Sequence, residues 1–99
     1  MVKIHGKYCG PNWTSGKVLA AKDATTKDFK VKPTDDLDAA CRLHDLAINK
    51  NGNSYRTDQA LEKRARAIRK NKKYSKNIRL KAEFIEESMA RLKYLRGRF

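Results

Sequence analysis

From residue 35 onward, apolar residues recur along the chain at intervals of three and four, the period of a helix that buries one face. Leu37, Cys41, His44 and Ile48 follow one another at four, three and four residues, which predicts a helix over 35–49 with one inward stripe. Pro33-Thr34 or Asp35 opens it, and acidic residues fill its first turn, where the helix dipole favours them. Asn51-Gly52-Asn53-Ser54 then breaks the pattern and turns the chain. A second helix is predicted over 55–69, with Leu61, Ala65 and Ile68 as its apolar stripe. Extended back by three residues, that stripe lands on Asp58, a carboxylate that either caps the helix or is buried with a partner. After the basic break Asn71-Lys72-Lys73, a third helix is predicted over 75–96, carrying Ile78, Ala82, Ile85, Met89 and Leu92. This last stripe reads most simply as core packed on the other two helices; its near-heptad spacing also fits a coiled-coil or partner-binding face.

The N-terminal third is different. Residues 5–16 are dense in Gly, Pro, Asn, Thr and Ser and read as an irregular loop. Between 17 and 32 the pattern is ambiguous: Val18–Ala21 suits a short helical turn, and Asp28–Lys32 alternates like a short strand. The prediction is a mainly all-α, three-helix single domain over 1–99. At 99 residues and 39% hydrophobic content the core is small, so a disulfide, a bound metal or a partner would help to hold it. No apolar run reaches the length of a membrane span, and the N-terminus lacks the apolar centre of a signal peptide. The expectation is a trimmed mature chain or a domain cut from something larger.

Charge narrows the partners. The net charge is +13, and from residue 61 onward fourteen Lys and Arg face four acidic residues, Glu62, Glu83, Glu86 and Glu87. That asymmetry suggests an anionic partner, either a lipid surface or nucleic acid, against the plainer reading of a solvated helix face.

Candidate chemistry concentrates in Cys41-Arg42-Leu43-His44-Asp45. On a helix, Cys41, His44 and Asp45 project to roughly one side, so a sulfur, an imidazole and a carboxylate share one turn. The other cysteine, Cys9, lies in Tyr8-Cys9-Gly10-Pro11-Asn12. Two cysteines alone do not establish a bridge, because cytosolic pairs are usually reduced.

Residues 33–45, PTDDLDAACRLHD, resemble the active-site helix of the secreted phospholipase A2 superfamily, and YCGPNW at 8–13 is similar to that family's calcium loop. The pattern is similar, too, to the compact phospholipase A2-like domains of parvovirus-type capsid proteins and some arthropod mobile-element proteins. The match covers roughly residues 5–65. It implies a phospholipase A2-like fold with a calcium loop over 7–16 and a Cys9–Cys41 disulfide joining that loop to the first helix. It further implies Ca2+ held by Asp45 and by the carbonyls of Tyr8, Gly10 and Asn12. His44 would be the general base, the Gly10 N–H an oxyanion donor, and Asp58 the group that orients His44. The implied activity is hydrolysis of the sn-2 ester of glycerophospholipids, in an extracellular or virion-associated setting. The alternative is a weak or inactive phospholipase-like module, within a larger protein such as a viral capsid protein, that binds anionic membranes or nucleic acid.

Several positions depart from the family pattern. Asn12 stands where glycine is common, and Ile48 stands four after the histidine where tyrosine is common, leaving Tyr55 as the candidate to replace it in space. Nothing before residue 5 corresponds to the amphipathic helix of vertebrate and venom members, and their additional disulfides are missing. These departures imply a minimal version, less stable and less active. For the surface, Trp13 is a candidate membrane anchor, with core packing as the alternative. Lys63, Arg64, Arg66, Arg69, Lys70, Lys72 and Lys73 are the candidate cations for an anionic phospholipid membrane, nucleic acid being the second choice.

Overall fold

The computed structural model describes residues 3–97, with side chains through residue 95. Its helices are α1 (Asp36–Asn51), α2 (Tyr55–Lys70) and α3 (Lys76–Gly97), each ending within two residues of its expected limits. The chain is mainly helical and carries one disulfide. It divides into two compact units, Met1–Gly52 and Asn53–Phe99.

In the first unit, Asp35 caps α1 by accepting the Asp38 backbone N–H at 2.9 Å. Gly52, at φ 77°, ends the helix and returns its N–H to the Ile48 carbonyl at 2.8 Å, a conformation that glycine adopts without steric cost. The segment read as an irregular loop contains a small hairpin. Strand β1 (Trp13–Thr14) pairs antiparallel with β2 (Lys17–Val18), Trp13 opposite Val18 and Thr14 opposite Lys17. The two turn residues, Ser15 and Gly16, both have positive φ, 61° and 77°, the geometry whose twist matches paired strands.

Val18 belongs to β2 rather than to a helical turn, and the single 3-10 turn of this region comes later, at Ala21–Asp23. Asp28–Lys30 is also a 3-10 turn rather than a strand. The Asp28 carboxylate accepts the Thr25 N–H at 2.8 Å and its hydroxyl at 3.1 Å, a local bond that closes the chain into a turn. Phe29 is buried whereas Val31 is exposed, so the run has no continuous apolar face to pair. Side chains of α1 lash this connection down: Arg42 donates to the Phe29 carbonyl at 2.9 and 2.6 Å, and Asn49 to those of Ala21 and Ala24 at 2.9 and 2.7 Å.

The core of this unit gathers Tyr8, Cys9, Phe29, Leu37, Ala40 and Cys41. Tyr8 and Phe29 stack with ring centroids 6.2 Å apart. Cys9 and Cys41 are bonded with their Cα atoms 5.1 Å apart, closing a loop of sequence separation 32. Chain entropy gives such a cross-link about 3–4 kcal/mol, a large share of what so small a core can supply.

In the second unit, Ser54 caps α2 in a capping box with Thr57. Leu61, Ala65 and Ile68 are buried, as are Ala82 and Ile85 of α3, so both stripes serve as core. A charged layer accompanies them. Glu86 accepts from Arg66 at 2.7 Å and Arg69 at 2.5 Å, while Glu62 pairs with Arg66 at 3.0 Å and Lys93 at 2.6 Å.

Candidate active site

The site begins with a carboxylate that holds backbone. Asp38, fully buried in the first turn of α1, accepts the N–H groups of Lys7 at 2.9 Å, Tyr8 at 2.8 Å and Thr34 at 2.9 Å. It thereby ties the loop to the helix one turn before the disulfide does so again. Gly6 is what allows the approach: a Cβ there would lie 2.4 Å from the Asp38 Cγ, and its φ is +61°. His5 adds an outer clasp, its Nε2 lying 2.7 Å from the Asp35 carboxylate. Sequence reasoning gave Asp38 no role, although its spacing of three and seven before Cys41 and Asp45 puts all three on one helical face.

Replacing Asp38 with alanine would leave three buried or half-buried N–H groups without an acceptor. We expect it to cost about 3–5 kcal/mol in denaturant unfolding. A loss below about 1 kcal/mol would mean that the disulfide alone positions the loop.

The loop so held passes Gly10 at φ 141° and Asn12 at φ 53°. Asn12 therefore occupies the left-handed region that asparagine tolerates better than other side-chain-bearing residues. Its carbonyl accepts the Leu19 N–H at 3.0 Å, which leaves that oxygen one further lone pair. Tyr8 is buried, and its hydroxyl is held by the carbonyls of Asp28, at 3.1 Å, and Val31.

Asp45 lies two turns along α1 from Asp38 and is buried. Burial pushes its carboxyl up from 3.8 to about 6, against the opposing pull of His44 and of the Thr14 hydroxyl. Thr14, itself buried in β1, is a neighbour that the sequence did not single out. The His44 Nδ1 is 3.8 Å from Asp45 Oδ1, an electrostatic contact rather than a hydrogen bond. Asp45 Oδ2 is buried and has no hydrogen-bond partner. An ionised carboxylate oxygen in that state is costly unless a donor or a cation meets it.

No protein-family model matches the chain, and no curated protein or solved structure is significantly similar to it. The likeness to phospholipases A2 is therefore carried by the motif residues alone.

Among the described residues no three His, Cys, Asp or Glu side chains converge as a metal cluster. A cation at Asp45 would take one carboxylate and complete its shell with backbone carbonyls and water, a donor set that calcium accepts.

The remaining expected residues are distributed as follows. Asp58 is fully buried in the first turn of α2, in the second unit, and Ser54 rather than Asp58 caps that helix. Tyr55 is exposed, with the Lys93 ammonium 5.6 Å from its ring centre. Trp13 is half-buried in β1, not at the turn, and its indole N–H donates to the Gly6 carbonyl at 3.0 Å. Arg66 and Arg69 are engaged by Glu62 and Glu86, whereas Lys63, Arg64, Lys70, Lys72 and Lys73 are exposed.

Proposed function

We propose that this chain is a calcium-dependent phospholipase A2 acting on the sn-2 ester of glycerophospholipids. The observation that carries the reading is the buried Asp45 carboxylate, one oxygen without a partner, beside His44 and a loop fastened to the same helix by Asp38 and by Cys9–Cys41.

In this reading Asp45 and the carbonyls of Tyr8, Gly10 and Asn12 hold Ca2+. The bound ion supplies electrostatic stabilisation of the oxyanion that develops on the ester carbonyl. The Gly10 N–H adds a hydrogen bond to the same oxygen. His44 takes a proton from water as that water adds to the carbonyl carbon. It returns the proton to the glycerol oxygen as the ester C–O bond breaks, releasing a fatty acid and a lysophospholipid.

The test is fatty-acid release from phosphatidylcholine–phosphatidylserine vesicles, in calcium and then in chelator. Release in calcium that chelator abolishes is the expected result. No release in either condition, from protein that still binds the vesicles, would leave a phospholipase-like binding module instead.

A further inference from the structure

The outer face of α3 carries large apolar side chains among its charged ones. Leu80 and Phe84 are each 54% exposed, and Leu95 is 56% exposed. Their spacings of four and eleven bring them to one side of the helix, opposite the buried Ala82 and Ile85. Tyr94, 67% exposed, lies beside them. None of this belongs to the stripe that the sequence pattern assigned to core.

Charge surrounds the face unevenly. On α3 itself the exposed Lys76 and Arg91 are offset by Glu83 and Glu87, while the half-buried Arg79 and Lys81 flank Leu80 and add positive charge. The rest of the surplus comes from the α2–α3 turn, where Lys70, Lys72 and Lys73 are exposed next to the first turns of α3. Arg66 and Arg69 contribute less, since Glu86 engages both.

We propose that the first turns of α3, with the basic α2–α3 turn, form the docking surface for an anionic phospholipid bilayer, Leu80 and Phe84 entering the acyl boundary. A partner for this surface must offer both negative charge and an apolar phase. Nucleic acid offers phosphate without hydrocarbon at its surface. A second copy would set one strongly cationic unit against another. A bilayer containing anionic lipid offers both, and helices with exposed Leu and Phe beside Lys bind such interfaces. The assignment does not draw on Trp13, whose indole N–H donates to the Gly6 carbonyl. It rests on the reading of the protein as acting on phospholipid, but its test does not depend on catalysis.

Vesicle flotation in chelator reads docking alone. Wild-type protein should float with mixed phosphatidylcholine–phosphatidylserine vesicles far better than with pure phosphatidylcholine, and less well as salt rises. L80S/F84S should weaken partitioning by about 10- to 100-fold, and K72E/K73E by about 10-fold. Circular dichroism and melting should match wild type for both, because all four side chains are exposed.

Unchanged flotation of L80S/F84S would overturn the proposal. So would tighter binding of a DNA duplex that depends on the lysines alone, or a dimer in sedimentation that L80S/F84S dissociates. Hydrolysis of a soluble monomeric ester in calcium is measured alongside. If wild type lacks that activity but floats as described, the enzymatic reading fails and the docking surface stands. If wild type hydrolyses the ester and L80S/F84S floats normally, the docking surface fails alone.

Discussion

Replacing His44 with glutamine should lower calcium-dependent fatty-acid release by about 10²–10⁴-fold, the range expected when a general base is lost. Glutamine keeps a polar side chain of similar reach but has no group that takes a proton near neutral pH. The imidazole side chain is only 11% exposed, so circular dichroism and melting must accompany the rate to show that the fold persists. His5 supplies the internal comparison. It is the only other histidine, and its Nε2 meets the Asp35 carboxylate at the helix cap. His5→Gln should therefore shift the melting temperature slightly and leave turnover near wild type. A His44→Gln enzyme retaining more than roughly a tenth of wild-type turnover would remove His44 from the role of base.

The three helices were legible because their apolar stripes follow a 3.6-residue period and their ends carry ordinary signals, Asp35 and Ser54 as caps and Gly52 as a stop. The hairpin at Trp13–Val18 was not, since strands of two residues are too short to alternate and its turn uses Ser15 where Asn or Gly usually marks the geometry. The Asp28 turn failed for a related reason: a side chain bonding its own neighbourhood outweighed an alternation only five residues long. At the site, the pairing of Cys9 with Cys41 agrees with the expectation drawn from the motif. Asp38 went unassigned because what it does is accept bonds across sequence gaps of about thirty residues, and Thr14 because its burial beside α1 depends on a hairpin the pattern does not show. Periodicity carries no record of such bonds. The involvement of Arg66 and Arg69 with Glu86 was hidden for the same reason, composition counting their charges as free.

Asp45→Asn should have opposite effects on stability with and without calcium. In the metal-free protein the Asp45 carboxyl, pushed up to about 6 by burial, opposes folding by on the order of 3 kcal/mol at neutral pH. The direction follows from proton binding. Between the ordinary carboxyl range and about 6 the folded state holds the proton more tightly than the unfolded chain. This contribution therefore favours folding as pH falls and is fully unfavourable above about 6. Asparagine removes the charge but buries an amide with bonds of its own to satisfy, so the net gain should be nearer 1–2 kcal/mol. It also removes the pH dependence that this carboxyl contributes. Calcium reverses the ranking, because an ion that binds only the folded state raises stability by mass action. Wild type should then melt higher in calcium than in chelator, whereas Asp45→Asn, lacking the one charged ligand, should melt at the same temperature in both. Equal calcium stabilisation of the two proteins would place the ion elsewhere. A variant less stable than wild type in chelator would show that the carboxylate is satisfied by the protein itself, and that its buried oxygen was never waiting for a cation.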